Sequence, residues 1–127
     1  MVETGQKGRN AKYSITWGKA LARVDYFGEI ENQDIENAHF SLNGTGRFYE
    51  CDKVILNVSE CSLAKVNVPE LFPVIATDLG ASESIRSMKV AMIATDPLNI
   101  KRVSDYIKDS KVSPWEFKLF NTLGGAE

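Results

Sequence analysis

The sequence predicts a single α/β domain built on a mixed β-sheet, with the element order β-β-α-β-α-β-α-β. Three observations support this prediction. Tyr13, Ile15 and Trp17 alternate with polar residues, which is the period of a half-buried strand. Two nearly continuous apolar runs, residues 53–58 and 88–95, are typical of strands that are buried on both faces. Stretches with helical periodicity separate these runs, and strands joined by crossover helices pair in parallel.

The N-terminal segment precedes any regular pattern. Residues 1–11 lack an apolar period and are predicted to form a flexible tail, so a single domain is expected over residues 12–127. After the first strand, Gly18 and Lys19 form a turn and residues 21–27 alternate again. Two short β-rich runs separated by a glycine-containing turn predict a β-hairpin.

The first helix is predicted to begin at residues 32–34, whose short polar side chains accept hydrogen bonds from free backbone N–H groups. Gly44 is expected to end this helix in the left-handed conformation, which glycine enters without steric cost. The residues of its apolar stripe are Ile35, Ala38 and Leu42.

The second helix is predicted to open at residues 68–70, and Pro73 is expected to kink its first turn because proline cannot donate an intrahelical hydrogen bond. Its predicted buried stripe is Leu71, Ile75 and Leu79. The third helix begins at Asp96 and Pro97, an N-cap acceptor followed by a residue with a preset φ. Its stripe is Ile100, Val103 and Ile107, and residues 115–120 alternate as a last strand.

Charge and hydropathy exclude several classes of protein. The formal net charge is −2, which argues against a nucleic-acid-binding protein. The apolar runs are far too short for an integral membrane segment. No secretory signal follows Met1, so a cytoplasmic location with reduced thiols is expected. Residues 24–60 contain eight acidic and two basic side chains, a local net charge of −6 that indicates a solvated acidic face or, alternatively, a basic partner.

The chemistry-bearing residues do not form a catalytic or metal-binding pattern. Cys51 and Cys61 match no zinc or redox spacing, and His39 is the only histidine, so no metal and no cofactor are expected. His39 is interpreted as a half-buried structural histidine, with a pH-sensitive surface group as the alternative. Asp96 follows a strand, where α/β sites often lie, but a helix cap explains it fully. We therefore expect no enzyme activity and no catalytic residues.

Several stretches resemble the SpoIIAA-like, or STAS, family. These are the central strand Val54-Ile55-Leu56-Asn57-Val58-Ser59, the helix start Val68-Pro69-Glu70-Leu71, the next strand Met88 to Pro97, and the last strand Trp115 to Phe120. The resemblance covers residues 12–121 and implies a SpoIIAA-like fold with a functional loop after the central strand. Anti-anti-sigma members carry an Asp-Ser-Ser-Gly stretch there, which a kinase phosphorylates. This chain has Val66-Asn67-Val68-Pro69 instead, so that phosphorylation switch is not carried over.

The resemblance implies a non-catalytic regulatory or protein-interaction module with an as yet unknown protein partner. Its predicted interaction loop contains Ser59, Glu60, Ser62, Lys65 and Asn67. The small members are also likened to Sec14-type domains, so the alternative is a carrier of a small apolar ligand or lipid, with an enclosed cavity beneath the second and third helices. The residues available to line such a cavity, or equally an ordinary core, are Phe72, Leu79, Met88, Met92, Ile100 and Phe120.

The C-terminal residues lead to a prediction of oligomeric state. Related chains continue into a final amphipathic helix, whereas residues 122–127 here are too short for a stable helix. An apolar surface left without that cover predicts a homodimer.

Overall fold

The structure is a computed structural model that describes residues 2–4, 12–44, 46–82 and 87–122. Its strands are β1 (Val2–Thr4), β2 (Tyr13–Gly18), β3 (Leu21–Tyr26), β4 (Gly28–Glu29), β5 (Lys53–Asn57), β6 (Cys61–Ser62), β7 (Lys89–Ile93) and β8 (Glu116–Phe120). Its α-helices are α1 (Asn32–Asn43), α2 (Phe72–Ala81) and α3 (Pro97–Asp109). Short 3-10 helices span Gly46–Glu50, Val68–Leu71 and Ser110–Val112.

The main sheet is mixed, as predicted, with the strand order β1-β2-β3-β5-β7-β8. The pairs β1–β2 and β2–β3 are antiparallel, whereas β3–β5, β5–β7 and β7–β8 are parallel. The parallel strands follow crossover helices, because a parallel pair cannot be joined by a tight turn. A second, two-stranded sheet pairs β4 with β6 in parallel and fastens the segment after β5 to the segment after β3.

The helices described in the structure pack on one face of the sheet. The large core on that face contains alternate strand residues such as Ile15, Val24, Leu56 and Met92 together with buried residues of all three helices. The opposite face carries a smaller apolar cluster of Ile55, Ala91 and Ile93, with Leu21 and Phe120 packed against it. Both faces of β5 and β7 are therefore apolar, which explains why their sequences are continuous apolar runs.

The N-terminal prediction needs a correction. Residues Val2–Thr4 of the predicted tail form β1, paired antiparallel with β2 in the register Val2↔Thr16 to Thr4↔Ser14. A segment of three residues is too short to show the alternation of apolar and polar residues by which a strand is recognised in a sequence. Its conformation is decided by pairing with the edge of β2. The rest of the predicted tail, residue 1 and residues 5–11, lies outside the described residues, as do residues 123–127 of the C-terminal segment, which the sequence predicts to be too short for a stable helix.

Helix α1 begins as predicted but ends differently. Its N-cap is Glu31, whose side chain forms a reciprocal capping box with Asp34; the Glu31 N–H donates to Asp34 Oδ2 at 2.8 Å. Gly44 has φ −78°, so the prediction of a left-handed glycine is wrong. The Gly44 N–H instead donates to the Phe40 carbonyl at 2.9 Å. A Cβ at this position would lie 2.9 Å from that same oxygen, so this close approach, not a positive φ, favours glycine here.

The position at which α2 begins explains how Pro73 is accommodated without a kink in the helix. Residues Val68–Leu71 form a 3-10 helix and the α-helix begins afresh at Phe72, which places Pro73 in the first turn, where no intrahelical N–H is needed. The predicted stripe is wrong in one member: Leu79 is exposed, whereas Val74, Ile75, Asp78 and Ala81 are buried. Helix α3 begins as predicted, with Asp96 accepting hydrogen bonds from the N–H groups of Leu98 and Asn99.

Candidate functional site

The loop after the central strand is fixed in place by α3. The buried Asn99 side chain donates to the carbonyls of Val58 at 3.0 Å and Cys61 at 2.8 Å, and its Oδ1 accepts from the Leu63 N–H at 3.1 Å. Arg102, one turn further along α3, donates from Nε to the Leu63 carbonyl at 3.3 Å. These hydrogen bonds satisfy backbone N–H and C=O groups of the loop that are not paired with a neighbouring strand. The loop therefore has a defined conformation.

Most of the predicted interaction-loop residues take part in local hydrogen bonds or ion pairs. Ser59 donates from Oγ to Asn57 Oδ1 at 2.7 Å, and Ser62 Oγ accepts from the Ala64 N–H at 3.3 Å. The Lys65 ammonium lies 2.8 Å from a Glu29 carboxylate oxygen, which lowers the pKa of Glu29.

The two remaining loop residues differ in their contacts. Asn67 exchanges two hydrogen bonds with Asn32: its N–H donates to Asn32 Oδ1 at 2.8 Å, and its carbonyl accepts from Asn32 Nδ2 at 2.9 Å. Glu60 is exposed in the turn. The role of these five residues in binding a partner stays a prediction.

A small cavity lies below this loop. Its volume is about 40 Å³, it is partly open to solvent, and it is lined by the 3-10 helix Val68–Leu71, by α1 and α3, and by the strands below them. That volume accommodates about three water molecules, well below the size of a lipid acyl chain. The 3-10 helix is the start of the second helix that the sequence predicted, so the cavity lies beneath the first turn of that predicted helix and beneath α3, with α1 on its other side.

The predicted ligand-lining residues divide into two groups. Met92 lines the cavity, whereas Ile100 is partly buried against the core and is not in its wall. Phe72 and Leu79 are exposed, so their prediction as lining residues is wrong. The physical reason is the orientation of α2, which buries Val74 and Asp78 and turns Phe72 and Leu79 outward. Of the further residues considered, Met88 is buried in the core and Phe120 packs against the cluster on the opposite face.

A buried polar cluster connects all three helices beside the cavity. His39 Nδ1 lies 3.0 Å from the Ile35 carbonyl, which only accepts, so Nδ1 carries a hydrogen. His39 Nε2 lies 3.8 Å from Asp78 Oδ2, and the Tyr106 hydroxyl donates to the same oxygen at 3.3 Å. A bare lone pair on Nε2 facing a carboxylate would be repulsive, so a proton on either His39 or Asp78 stabilises this contact.

The environment of Asp78 favours its protonated form. Burial raises the pKa of Asp78 above its ordinary value, and the nearby His39 partly offsets that shift. Burial also raises the pKa of Tyr106. His39 is therefore a buried member of a polar cluster, in agreement with its interpretation as structural.

This shift gives a pH prediction for Asp78→Asn. A carboxyl group with a raised folded-state pKa contributes stability below its unfolded pKa of about 3.8, and that contribution is lost as the pH rises through the folded value. Asparagine does not ionise and retains an acceptor for Tyr106. The free energy of unfolding of the wild type minus that of Asp78→Asn should therefore fall as the pH rises from about 4 to about 7.

Urea unfolding at several pH values measures this difference. Asp52→Asn is the matched control, because it makes the same chemical change at an exposed carboxyl group. A difference for Asp78→Asn that depends on pH no more than the difference for this control would contradict the prediction.

The cysteines behave as buried thiols. Cys51 is buried and Cys61 is half-buried, and both are free. Burial raises the pKa of the Cys61 thiol to about 12, so it carries no thiolate near neutral pH and is a weak nucleophile.

The outer side of α1 and α2 carries exposed apolar residues that together form what we name the α1–α2 surface: Phe40, Phe72, Pro73, Ala76 and Leu79. The aromatic side chains are the most exposed large apolar groups described, with Phe40 at 69% and Phe72 at 70%. Phe40 and Pro73 line one groove between the two helices. Phe72, Ala76 and Leu79 have the i, i+4, i+7 spacing of a single helix face.

The architecture is found in a solved structure. A crystal structure of an uncharacterized protein of the DUF3478 family from Shewanella loihica PV-4, described as having a SpoIIAA-like fold, matches with a TM-score of 0.50. The match covers 95% of this chain and 96% of that chain, at 16% sequence identity. This chain has a SpoIIAA-like fold. No protein-family model matches the sequence, and no curated protein matches it either.

The SpoIIAA-like fold confirms the architecture that the sequence resemblance implied, and at this identity the likeness concerns the fold alone. Within the described residues, no helix is long and apolar enough to cross a bilayer.

Sequence reasoning missed Phe40, Asp78 and Tyr106 within this fold. The sequence of α2 did contain a signal for the exposed apolar surface. Asp78 is the only charged residue of this helix, so the helix has almost no charged side chains to place toward water. A helix that is apolar on nearly all sides has more apolar area than one contact with the sheet can bury.

Proposed function

We propose that this SpoIIAA-like domain is a non-catalytic regulatory module that binds another protein through the α1–α2 surface. The observation that supports the proposal is the exposure of large apolar side chains along one face of α2 and at Phe40 on the neighbouring α1. Isolated exposed apolar residues are ordinary on a soluble domain, but apolar residues gathered on one surface are typical of protein interfaces.

The character of the exposed residues also fits an interface. Aromatic side chains contribute much of the binding free energy in protein complexes because they bury a large area with few rotatable bonds. Phe40 and Phe72 are exposed on two different helices, and the groove between those helices, lined by Phe40 and Pro73, offers a recess for a partner side chain. A partner would cover apolar area that water now contacts, and this burial is the driving force for association.

The chain offers a matched pair of leucines for the test. Leu79 is 40% exposed on α2, and Leu98 is 39% exposed on α3, which contributes no residue to the α1–α2 surface. Leu79→Ser should weaken partner binding about tenfold because it removes apolar contact area, whereas Leu98→Ser should leave binding within about twofold. Both substitutions should alter the free energy of unfolding by similar, small amounts.

The measurement has two parts. Sedimentation velocity of the wild type and both variants reports self-association, and quantitative affinity capture from the source cells with the same three proteins as bait reports other partners. Support requires a dimer or a captured protein that is lost with Leu79→Ser and kept with Leu98→Ser. If no association depends on Leu79, and Phe72→Ser is equally without effect, the proposal is wrong.

A further inference from the structure

We infer that the α1–α2 surface binds a basic amphipathic helical segment of another protein. The inference rests on the proposed function, because it states the chemistry of the partner that this surface takes. It follows from the distribution of charge around the exposed apolar residues.

The two helices of this surface carry no lysine or arginine, and their one histidine, His39, is buried. Neither α1 nor residues 68–81, which comprise the preceding 3-10 helix and α2, contain a lysine or arginine. Their acidic residues are Asp34, Glu36, Glu70 and Asp78. The outer sides of these two helices therefore present apolar and acidic groups with no lysine or arginine from the helices themselves.

Two of those acidic groups are already compensated. Asp34 is buried and lies 3.6 Å from the Lys12 ammonium, and Asp78 is buried against His39 and Tyr106. The other two, Glu36 and Glu70, are accessible to solvent, and in the part of the chain that the structure describes neither is in an ion pair. Their carboxylates are available to a partner.

Both available carboxylates border the apolar residues. Glu36 lies one turn before Phe40 on α1 and lines the same groove as Phe40 and Pro73. Glu70 precedes Phe72 by two residues in the 3-10 helix that leads into α2. A partner that covers the apolar residues thus brings its own flanking side chains close to these carboxylates.

This arrangement discriminates between occupants. A second copy docked about a twofold axis would bury this surface against itself, and the same two helices of the other chain offer no lysine or arginine to the carboxylates of Glu36 and Glu70. A membrane with anionic lipids would be repelled by these carboxylates. A helix with leucine-like residues on one face and lysine or arginine beside them satisfies both the apolar groove and the carboxylates.

The test uses two synthetic peptides of about 18 residues, roughly five helical turns, built from leucine with lysine and from leucine with glutamate in the same amphipathic pattern. Fluorescence anisotropy with the full chain should show that the leucine–lysine peptide binds at least about tenfold more tightly. Its binding should weaken as the salt concentration rises from about 50 mM to about 300 mM, because salt screens the carboxylates.

Matched variants connect the binding to this surface. Glu36→Gln/Glu70→Gln should weaken binding of the leucine–lysine peptide at least about threefold and reduce its salt dependence. Glu50→Gln/Glu116→Gln makes the same change in net charge at exposed positions elsewhere and should have little effect. Leu79→Ser should weaken binding about tenfold without changing charge, whereas Leu98→Ser should not.

The outcomes separate this inference from the proposed function. If Leu79→Ser weakens association but both peptides bind equally well, or the two glutamate pairs behave alike, the basic partner is wrong while the interface stands. If the chain self-associates through Leu79, the occupant is a second copy and the inference is overturned. If Leu79→Ser and Leu98→Ser have the same effect on every binding measurement, both the inference and the proposed function fail.

Discussion

Replacing Asn99 by alanine is expected to lower the free energy of unfolding by about 3–5 kcal/mol. The Asn99 side chain is 1% exposed and makes three hydrogen bonds with the backbone of the loop between β5 and α2. Alanine leaves the Leu63 N–H and the carbonyls of Val58 and Cys61 without those partners. An unpaired buried polar group costs about 1–3 kcal/mol, so the effects accumulate.

Urea unfolding of Asn99→Ala measures the loss, and amide hydrogen exchange at Leu63 reports the loop itself. Asn37→Ala is the matched control, because the Asn37 side chain accepts one exposed hydrogen bond from Gln33 and its loss should cost less than about 0.5 kcal/mol. Equal losses in the two variants would show that Asn99 does not hold the loop in place. Asn99→Asp is expected to rescue little, since its carboxylate would face two carbonyl oxygens.

Replacing His39 by leucine is expected to cost about 3–5 kcal/mol near neutral pH. Both His39 and Asp78 are buried, and the histidine is the cationic or proton-accepting partner of a carboxyl group that has little access to water. Without it, Asp78 must either remain charged in an apolar environment or carry a proton whose hydrogen-bond acceptor has been removed, and either state is unfavourable for a buried group.

The double variant His39→Leu/Asp78→Leu separates the interaction between His39 and Asp78 from the contribution that each side chain makes alone. Apolar residues that replace both partners remove the unpaired buried group, so the double variant should lose less stability than His39→Leu alone. A double-mutant cycle should give a coupling of about 2 kcal/mol. Losses that simply add would show that the 3.8 Å contact carries no interaction free energy.

Local signals were sufficient for much of the fold. The alternation from Tyr13 to Trp17, the apolar runs at residues 53–58 and 88–95 and the Asp96–Pro97 pair each indicated one element, and the structure has those elements at β2, β5, β7 and α3. These signals work because each reflects an interaction within a few residues: a strand period, burial of both faces, or a helix cap.

The candidate site was less predictable because its residues are far apart in the chain. Asp78 and Tyr106 are separated by 28 positions and Leu63 and Asn99 by 36, so neither pair leaves a local pattern. The buried face of helix α2 was also difficult to predict from the sequence. Its apolar residues on several sides fit more than one buried stripe, and sequence reasoning chose the one containing Leu79.

The sequence by itself determined the class of fold, the order of the main elements and the absence of the Asp-Ser-Ser-Gly stretch, since each of these is written in contiguous residues. Only the tertiary structure decided which side of α2 faces the sheet and which faces water. That choice depends on how α1 and α3 pack against α2, because burying Asp78 beside His39 and Tyr106 turns Phe72 and Leu79 outward. Residues predicted as the wall of an internal cavity thereby became the exposed surface on which the proposed function rests.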